Sequence, residues 1–323
     1  MACEFSQKEG IDYEETFAPI ARYTSIRSIP AMAAVMKWKI HWMDVKTAFL
    51  NGVVEEEVYV EQPLGFETHE RESHVCRLKK SMYGLKQAPR TWYGKIDNFL
   101  SSLGFTKSKA DSNLYYKAEK GIPVILLLYV DDLFVIGMDG LIADTKMKLA
   151  TEFKMKDLGM MHYFLEMEVW QNADGIFLGQ GKYAIEIFKR FGMMDYKAMT
   201  TPMASNLKLL SDASSKAVDA TTYHQMIGSL MYLTNTRPDF FFSKNTLIHF
   251  LRDMIHVHLI TAKHTLSYLK GIVDYGLKYE VNQKINLEGY VDLDWAYSSI
   301  DRKSTSGCYF SMRSGVIYWF SRK

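Results

Sequence analysis

Residues 124–138 read VILLLYVDDLFVIGM, two short apolar runs flanking a pair of aspartates. Runs of Val, Ile, Leu, Tyr and Phe of this length are the pattern of buried neighbouring strands, and the break between them is the pattern of a tight hairpin. Asp is a common turn residue, so turn chemistry alone would account for Asp131 and Asp132 in an arbitrary sequence. Here the flanks are almost wholly apolar, which sets two carboxylates at the rim of a buried sheet. Like charges that close raise each other's pKa unless a cation neutralises them, and a divalent metal is the usual solution.

Phosphoryl chemistry on such a metal needs a further carboxylate from elsewhere in the chain. The candidate is Asp44 in IHWMDVKTAFLNG, residues 40–52, which reads as a strand running into a loop. Two-residue alternation puts Trp42, Asp44 and Lys46 on one face. The same alternation separates the hairpin pair, because neighbours on extended backbone point to opposite faces. The expectation is that Asp44 and Asp131 are the metal ligands and that Asp132 assists.

Several further segments bear on these residues in a fixed order. DVKTAFLNG (44–52), VYVEQPLGF (58–66), CRLKKSMYGLKQAPRTWY (76–93) and YVDD (129–132) resemble the reverse transcriptase of copia-type LTR retrotransposons. The resemblance continues through MKDLGMMHYFLEMEV (155–169), GSLMYLTNTRPD (228–239) and YLKGIVDYGL (268–277). GYVDLDWA (289–296) and DRKSTSGC (301–308) then resemble the start of that family's RNase H domain. It covers nearly the whole chain from about residue 7.

The resemblance implies an α+β fold: a right-hand polymerase palm and fingers with an antiparallel palm sheet, a helical thumb or connection, and a partial RNase H-like α/β piece. The implied divisions are 1–200, 201–275 and 276–323. The implied activity is RNA-directed DNA polymerisation by two-metal nucleotidyl transfer to a primer 3′-hydroxyl, with two Mg²⁺ or Mn²⁺ ions. RNA template, DNA primer and dNTPs are the implied partners, and an intracellular particle or the nucleus is the implied location. Phe49 corresponds to the aromatic that crowds the sugar 2′ position. Tyr83, Gly84, Lys86, Gln87 and Pro89 match the segment beside the incoming nucleotide and template, and Arg22 and Arg27 are candidates for phosphate contacts. Asp292 matches the first RNase H carboxylate. No Asp or Glu follows Asp301, so this piece is not expected to cut RNA alone. Relatives also carry a basic strand before the segment matching residues 7–10. Two departures stand out: Pro30 replaces an apolar helix former, and Glu166 replaces a Gly in the segment leading to the primer-gripping region. They motivate an alternative from another class, a non-catalytic nucleic-acid-binding relic of an integrated element.

The chain has 323 residues, 48% of them hydrophobic, which is enough for a sizeable core in two domains or one and a fragment. A net charge of +2 does not announce a nucleic-acid binder. Its distribution says more: residues 77–90 hold Arg77, Lys79, Lys80, Lys86 and Arg90 with no acid, with Tyr83 inside the run and Trp92 and Tyr93 beside it. This pattern suits a phosphate backbone with stacked bases, although a solvated loop and helix start would account for it without the neighbouring motifs. The cysteines, Cys3, Cys76 and Cys308, are far apart and odd in number, the pattern of reduced thiols. No apolar run approaches the ~20 residues of a membrane span. No GxxxxGK[ST] phosphate loop is present. His249, Asp253 and His256 fall at helical spacing and are the one alternative metal set.

The periodicity predicts helices over 24–38 (kinked or late-starting at Pro30), 88–103, 139–153, 182–191, 223–234, 240–251 and 259–269. Strands are expected over 163–169 and 176–178, a linker over 200–222, and short strands from 275.

Overall fold

A computed structural model describes residues 7–13, 15–16, 20–70, 73–204, 218–281, 285–294, 305–312 and 315–322. It is a mixed α/β structure built on antiparallel sheets. Packing divides it into two compact units, Met1–Ile26 with Trp38–Met161, and Arg27–Lys37 with His162–Lys323.

Helix α1 (Tyr23–Met36) opens the described elements, followed by strand β1 (Lys39–Val45) and a 3-10 turn at Ala48–Asn51. Strands β2 (Tyr59–Glu61) and β3 (Val75–Arg77) form a small hairpin. Helix α2 (Ala88–Ser102) precedes strands β4 (Thr106–Lys107), β5 (Leu114–Glu119), β6 (Ile122–Tyr129) and β7 (Asp132–Gly137). Helix α3 (Asp139–Glu152) and strand β8 (Met155–Met160) complete the first unit. The six-stranded sheet runs β4-β5-β6-β7-β1-β8. Alternation sorts its residues: Met43 and Val45 of β1, Leu126 and Leu128 of β6, and Leu133 and Val135 of β7 enter one core with Trp92, Ile96 and Leu100 of α2 and Ile142 and Leu149 of α3. Trp92, Ile96 and Leu100, at four-residue spacing, form the buried stripe of this helix. Pro89 lies in its first turn, and Gly104, at φ +83°, follows its end.

The second unit holds β9 (Tyr163–Phe164), β10 (Met167–Asn172), β11 (Gly175–Gly179), α4 (Gly181–Arg190), α5 (Ala220–Leu233), α6 (Phe241–Ile248), α7 (His256–Gly271), β12 (Gly276–Glu280), β13 (Leu287–Asp294), β14 (Thr305–Met312) and β15 (Gly315–Arg322). Its helices share a core that includes Ile187, Phe188, Tyr223, Ile227, Leu230, Phe240, Leu247 and Leu266. Asp219 caps α5, its carboxylate accepting from the backbone N–H groups of Thr221 and Thr222. Strand β12 pairs with β11 in the sheet β12-β11-β10-β9, whereas β13-β14-β15 is a separate three-stranded sheet. Among the described residues no helix is long and apolar enough to cross a membrane.

Three expectations are corrected. Of the two outcomes expected at Pro30, the late start does not occur: helix α1 begins at Tyr23 and runs through the proline. Ile26, Ile29, Ala31, Ala33 and Ala34 are all buried around the proline, and that burial offsets the lost backbone hydrogen bond. His249, Asp253 and His256 do not share a helix face, because α6 ends at Ile248 and α7 starts at His256. The strand expected over 163–169 is broken by a two-residue turn, with Phe164 facing Met167. Most of the predicted linker, residues 205–217, lies outside the described residues.

That turn carries strain. Leu165 and Glu166 have φ of 47° and 54°, the left-handed region that favours Gly or Asn. The Tyr163 hydroxyl donates to Glu166 Oε2, which offsets part of the cost. Left-handed backbone on a non-Gly residue costs about 1–2 kcal/mol, whereas glycine concedes somewhat less in chain entropy. Glu166→Gly is therefore expected to be about 1 kcal/mol more stable in urea unfolding than Glu166→Ala. Both variants lose the tyrosine bond, so the difference reads the backbone alone, and equal stabilities would remove the strain argument.

Candidate active site

Asp44 lies one residue from the end of β1, and its register partner on β7 is Asp132. Paired residues of an antiparallel ladder project to the same face. The two carboxylates are therefore set on the face opposite Met43 and Val45. Asp131 does not belong to a strand. Tyr129 pairs with Asp132, so the connection is the two-residue turn Val130-Asp131, and Asp132 is the first strand residue. The turn is pinned from both sides. The Asp131 carbonyl accepts from the Val45 N–H at 2.9 Å, and the Val130 carbonyl accepts from Trp92 Nε1 at 2.6 Å. Val130 has φ 55°, an unusual conformation for a β-branched residue, and these two bonds help to hold it.

Trp42, two residues before Asp44 on the same face, donates its indole N–H to Asp132 Oδ1 at 2.6 Å. Burial pushes the Asp132 carboxyl up to about 6, against the Trp42 bond that lowers it, and the charges of Asp131 and Asp44 push the same way as burial. Burial also raises Asp131, with Asp44 adding to the effect. The charges acting on these two groups are other carboxylates; among the described residues none of the three is ion-paired with Lys or Arg.

Beside this corner stands an aromatic wall. Phe49, in the 3-10 turn, packs on Tyr83 with ring centroids 4.6 Å apart. Burial and then the negative charge of Asp131 raise the Tyr83 hydroxyl above its ordinary range, which keeps it a neutral donor. The Phe49 carbonyl accepts from Ser81 Oγ and from the Gly52 N–H. A Cβ at Gly52 would meet Thr91 Oγ1 at 2.4 Å, so the close approach of this loop to α2 requires glycine.

The other expected site residues are placed differently. Gly84 has φ 93° in the loop before α2, and Lys86 is half-buried there. Gln87 is 1% exposed; its amide accepts from Gln7 Nε2 at 3.1 Å and donates to the Asp12 carbonyl at 2.6 Å, so it anchors the N-terminal segment. Arg22 is exposed ahead of α1, and its backbone N–H is held by Asp111. Arg27 is not a surface phosphate ligand. It is 6% exposed, donates to the carbonyls of Ile317 and Asn235, and stacks over Trp319 at 4.0 Å. Asp292 lies on β13 opposite Gly307, with an exposed side chain. Sequence reasoning missed the Trp42–Asp132 and Trp92–Val130 bonds, although the shared face of Trp42 and Asp44 was the available signal for the first.

Asp132 yields a pH test. Its folded-state pKa is raised above the ordinary carboxylate value, so the folded chain binds the proton more tightly than the unfolded chain and loses stability as pH rises from about 4 to about 6. Asp132→Asn keeps the Trp42 acceptor without the charge. Without added divalent ions it is expected to be more stable than wild type at pH 7.5, with the gain vanishing towards pH 4. A gain independent of pH in denaturant titrations would contradict the burial of this charge.

Comparison with known proteins gives the family. Residues 1–205 match the family model described as reverse transcriptase (RNA-dependent DNA polymerase). The chain is 38% identical over 320 residues, 99% of its length, to the retrovirus-related Pol polyprotein from transposon RE1 of Arabidopsis thaliana. It is 40% identical over 330 residues, 98% of its length, to the corresponding polyprotein from transposon TNT 1-94 of Nicotiana tabacum. It spans 22% of the first and 25% of the second. With more than half of its residues inside the family model and these identities along nearly all of it, the chain belongs to the reverse transcriptase family carried by the Pol polyproteins of copia-type retrotransposons.

Proposed function

We propose that this chain is an RNA-directed DNA polymerase module that extends a DNA primer on an RNA template, with Asp44 and Asp131 as metal ligands and Asp132 in support. The observation that carries this reading is the register: Asp44 faces Asp132, the Val130-Asp131 turn is bonded to Val45, and no cation of the described chain balances the cluster. Among the described residues no group of three or more His, Cys, Asp or Glu is arranged to hold a metal by itself. Mg²⁺ keeps waters and is usually held by one or two carboxylates together with substrate phosphates, the number that Asp44 and Asp131 would supply. The Trp42 bond occupies one Asp132 oxygen, leaving Asp44 and Asp131 as the freer donors. Bound there, divalent ions would supply charge neutralisation and an acidified primer hydroxyl.

The remaining roles belong to the chain's own groups. Trp42 orients Asp132, and Trp92 and Val45 fix the turn that carries Asp131. The Phe49–Tyr83 pair offers a rigid apolar surface beside the carboxylates, suited to excluding a ribose 2′-hydroxyl. In this reading the six-stranded sheet with α2 and α3 is the palm, β2 and β3 belong to the fingers, α5–α7 form the thumb or connection, and β13–β15 open an RNase H-like piece. The strained Glu166 and the engaged amide of Gln87 favour a second reading, a binding-only relic.

The expected outcome is Mg²⁺- or Mn²⁺-dependent extension of a DNA primer on RNA. Asp131→Asn should lower the rate by about a hundredfold or more, the loss of several kcal/mol of transition-state stabilisation. Undiminished extension by that variant would remove the site assignment, and primer-template binding without any extension would establish the relic. Phe49→Ala should retain extension while admitting ribonucleotides about tenfold more readily, read as a ratio of incorporation efficiencies. An unchanged ratio would deny Phe49 the gating role.

A further inference from the structure

The second unit contains a feature that the catalytic reading does not use. Its sheet β12-β11-β10-β9 buries one face, with Val169, Ile176, Leu178, Leu277 and Tyr279 inside. On the other face Trp170 is paired in register with Phe177, and Phe177 in turn with Lys278, so three strands present an aromatic, an aromatic and a lysine side by side. The two rings lie 5.3 Å apart, and Trp170 remains 47% exposed. Tyr275, 64% exposed, and Lys182 and Ile185 of α4 line the same cavity of about 570 Å³.

Glycine shapes this surface. Gly179 and Gly276 are register partners, and a Cβ on either would meet the Phe177 ring at 2.9 Å or 2.8 Å. The pair leaves room for that ring to lie along the sheet. Exposed aromatic area on the sheet of a folded unit is costly unless something covers it. Lys182 reaches the buried Glu168 carboxylate at 3.6 Å and lies over the Tyr163 ring at 5.5 Å, whereas Lys278 pairs with Glu280 at 3.4 Å near the surface, a contact that a phosphate can displace.

From this geometry we infer that the open face of β10–β12 is a stacking platform for unpaired nucleobases of a single strand, with Trp170 and Phe177 as the stacking surface and Lys182 and Lys278 facing the backbone phosphates. Four-stranded antiparallel sheets with aromatics on adjacent strands read single strands by this chemistry, because every base has a π-face. The site requires neither a divalent ion nor the Asp44–Asp131 corner, so it stands or falls separately from the polymerase reading.

The test is photocrosslinking of the full chain, in EDTA, to a 12-nucleotide single strand carrying 5-iodouracil, in ribo and deoxy forms. The expected crosslinks map to peptides containing Trp170, Phe177 or Tyr275. In parallel, Trp170→Ala should weaken single-strand binding about tenfold, Trp170→Phe should retain most of it, and binding of a blunt duplex should not change. Crosslinks confined to other peptides, or single-strand affinity within twofold of wild type in a Trp170→Ala chain of unchanged circular dichroism, would overturn the inference. Crosslinking needs no variant, so a folding defect cannot mask the result. Loss of extension in Asp131→Asn with no crosslink at the platform would sink this inference alone.

Discussion

The antiparallel register between β1 and β7 is the constraint on which the rest of this molecule turns. It places Asp44 opposite Asp132 and, one residue earlier in the chain, hangs Asp131 from the connecting turn. A slip of one residue would send Asp44 into the face now filled by Met43 and Val45, and a sheet with two apolar faces cannot absorb a charge there. The apolar alternation that builds the core is thus also what aims the carboxylates. Their mutual repulsion and burial are unfavourable, and the fold tolerates them because the surrounding strands are buried deeply enough to hold the register.

Two tryptophans brace that corner, one from the core and one from the sheet face that carries Asp44. Trp92 is fully buried in the helix-sheet core and still spends its indole N–H on the Val130 carbonyl. Trp42 does the same for Asp132. Indole is suited to this because its bulk is apolar and its one donor is rigidly placed. Trp92 couples core packing to the turn that carries Asp131, and Trp42 fixes the Asp132 carboxylate directly.

The second unit solves a different problem, the attachment of its last strands. Arg27 stacks on Trp319 and donates to Ile317, Tyr279 donates to Val316, and Asn245 donates to Ser321. Each of these bonds ends on a backbone carbonyl of β15, and a buried guanidinium without such acceptors would be expensive. The arginine's charge is therefore committed to holding β15, and its guanidinium is not available to a phosphate.

Local pattern was enough for much of this. The apolar runs around Asp131 and Asp132, the stripe of α2 and the ordered motifs carried the strand pair, the main helices and the family, because period and turn chemistry act over a few residues. Asp44 joined the hairpin pair by that route as well. Long-range pairing was beyond such reading: the sequence around residue 276 reads as a strand but not as the partner of β11, and neither the match of Gln87 to the nucleotide segment nor the candidacy of Arg27 for phosphate announces that both are buried. Nor does a sequence announce that Leu165 and Glu166 must adopt left-handed backbone, since only the return of β10 onto β9 imposes it. The chain by itself determined which residues form strands and which carry charge; the tertiary structure alone decided which of those charges are spent on the fold, because burial and hydrogen-bond partners come from segments far apart in sequence.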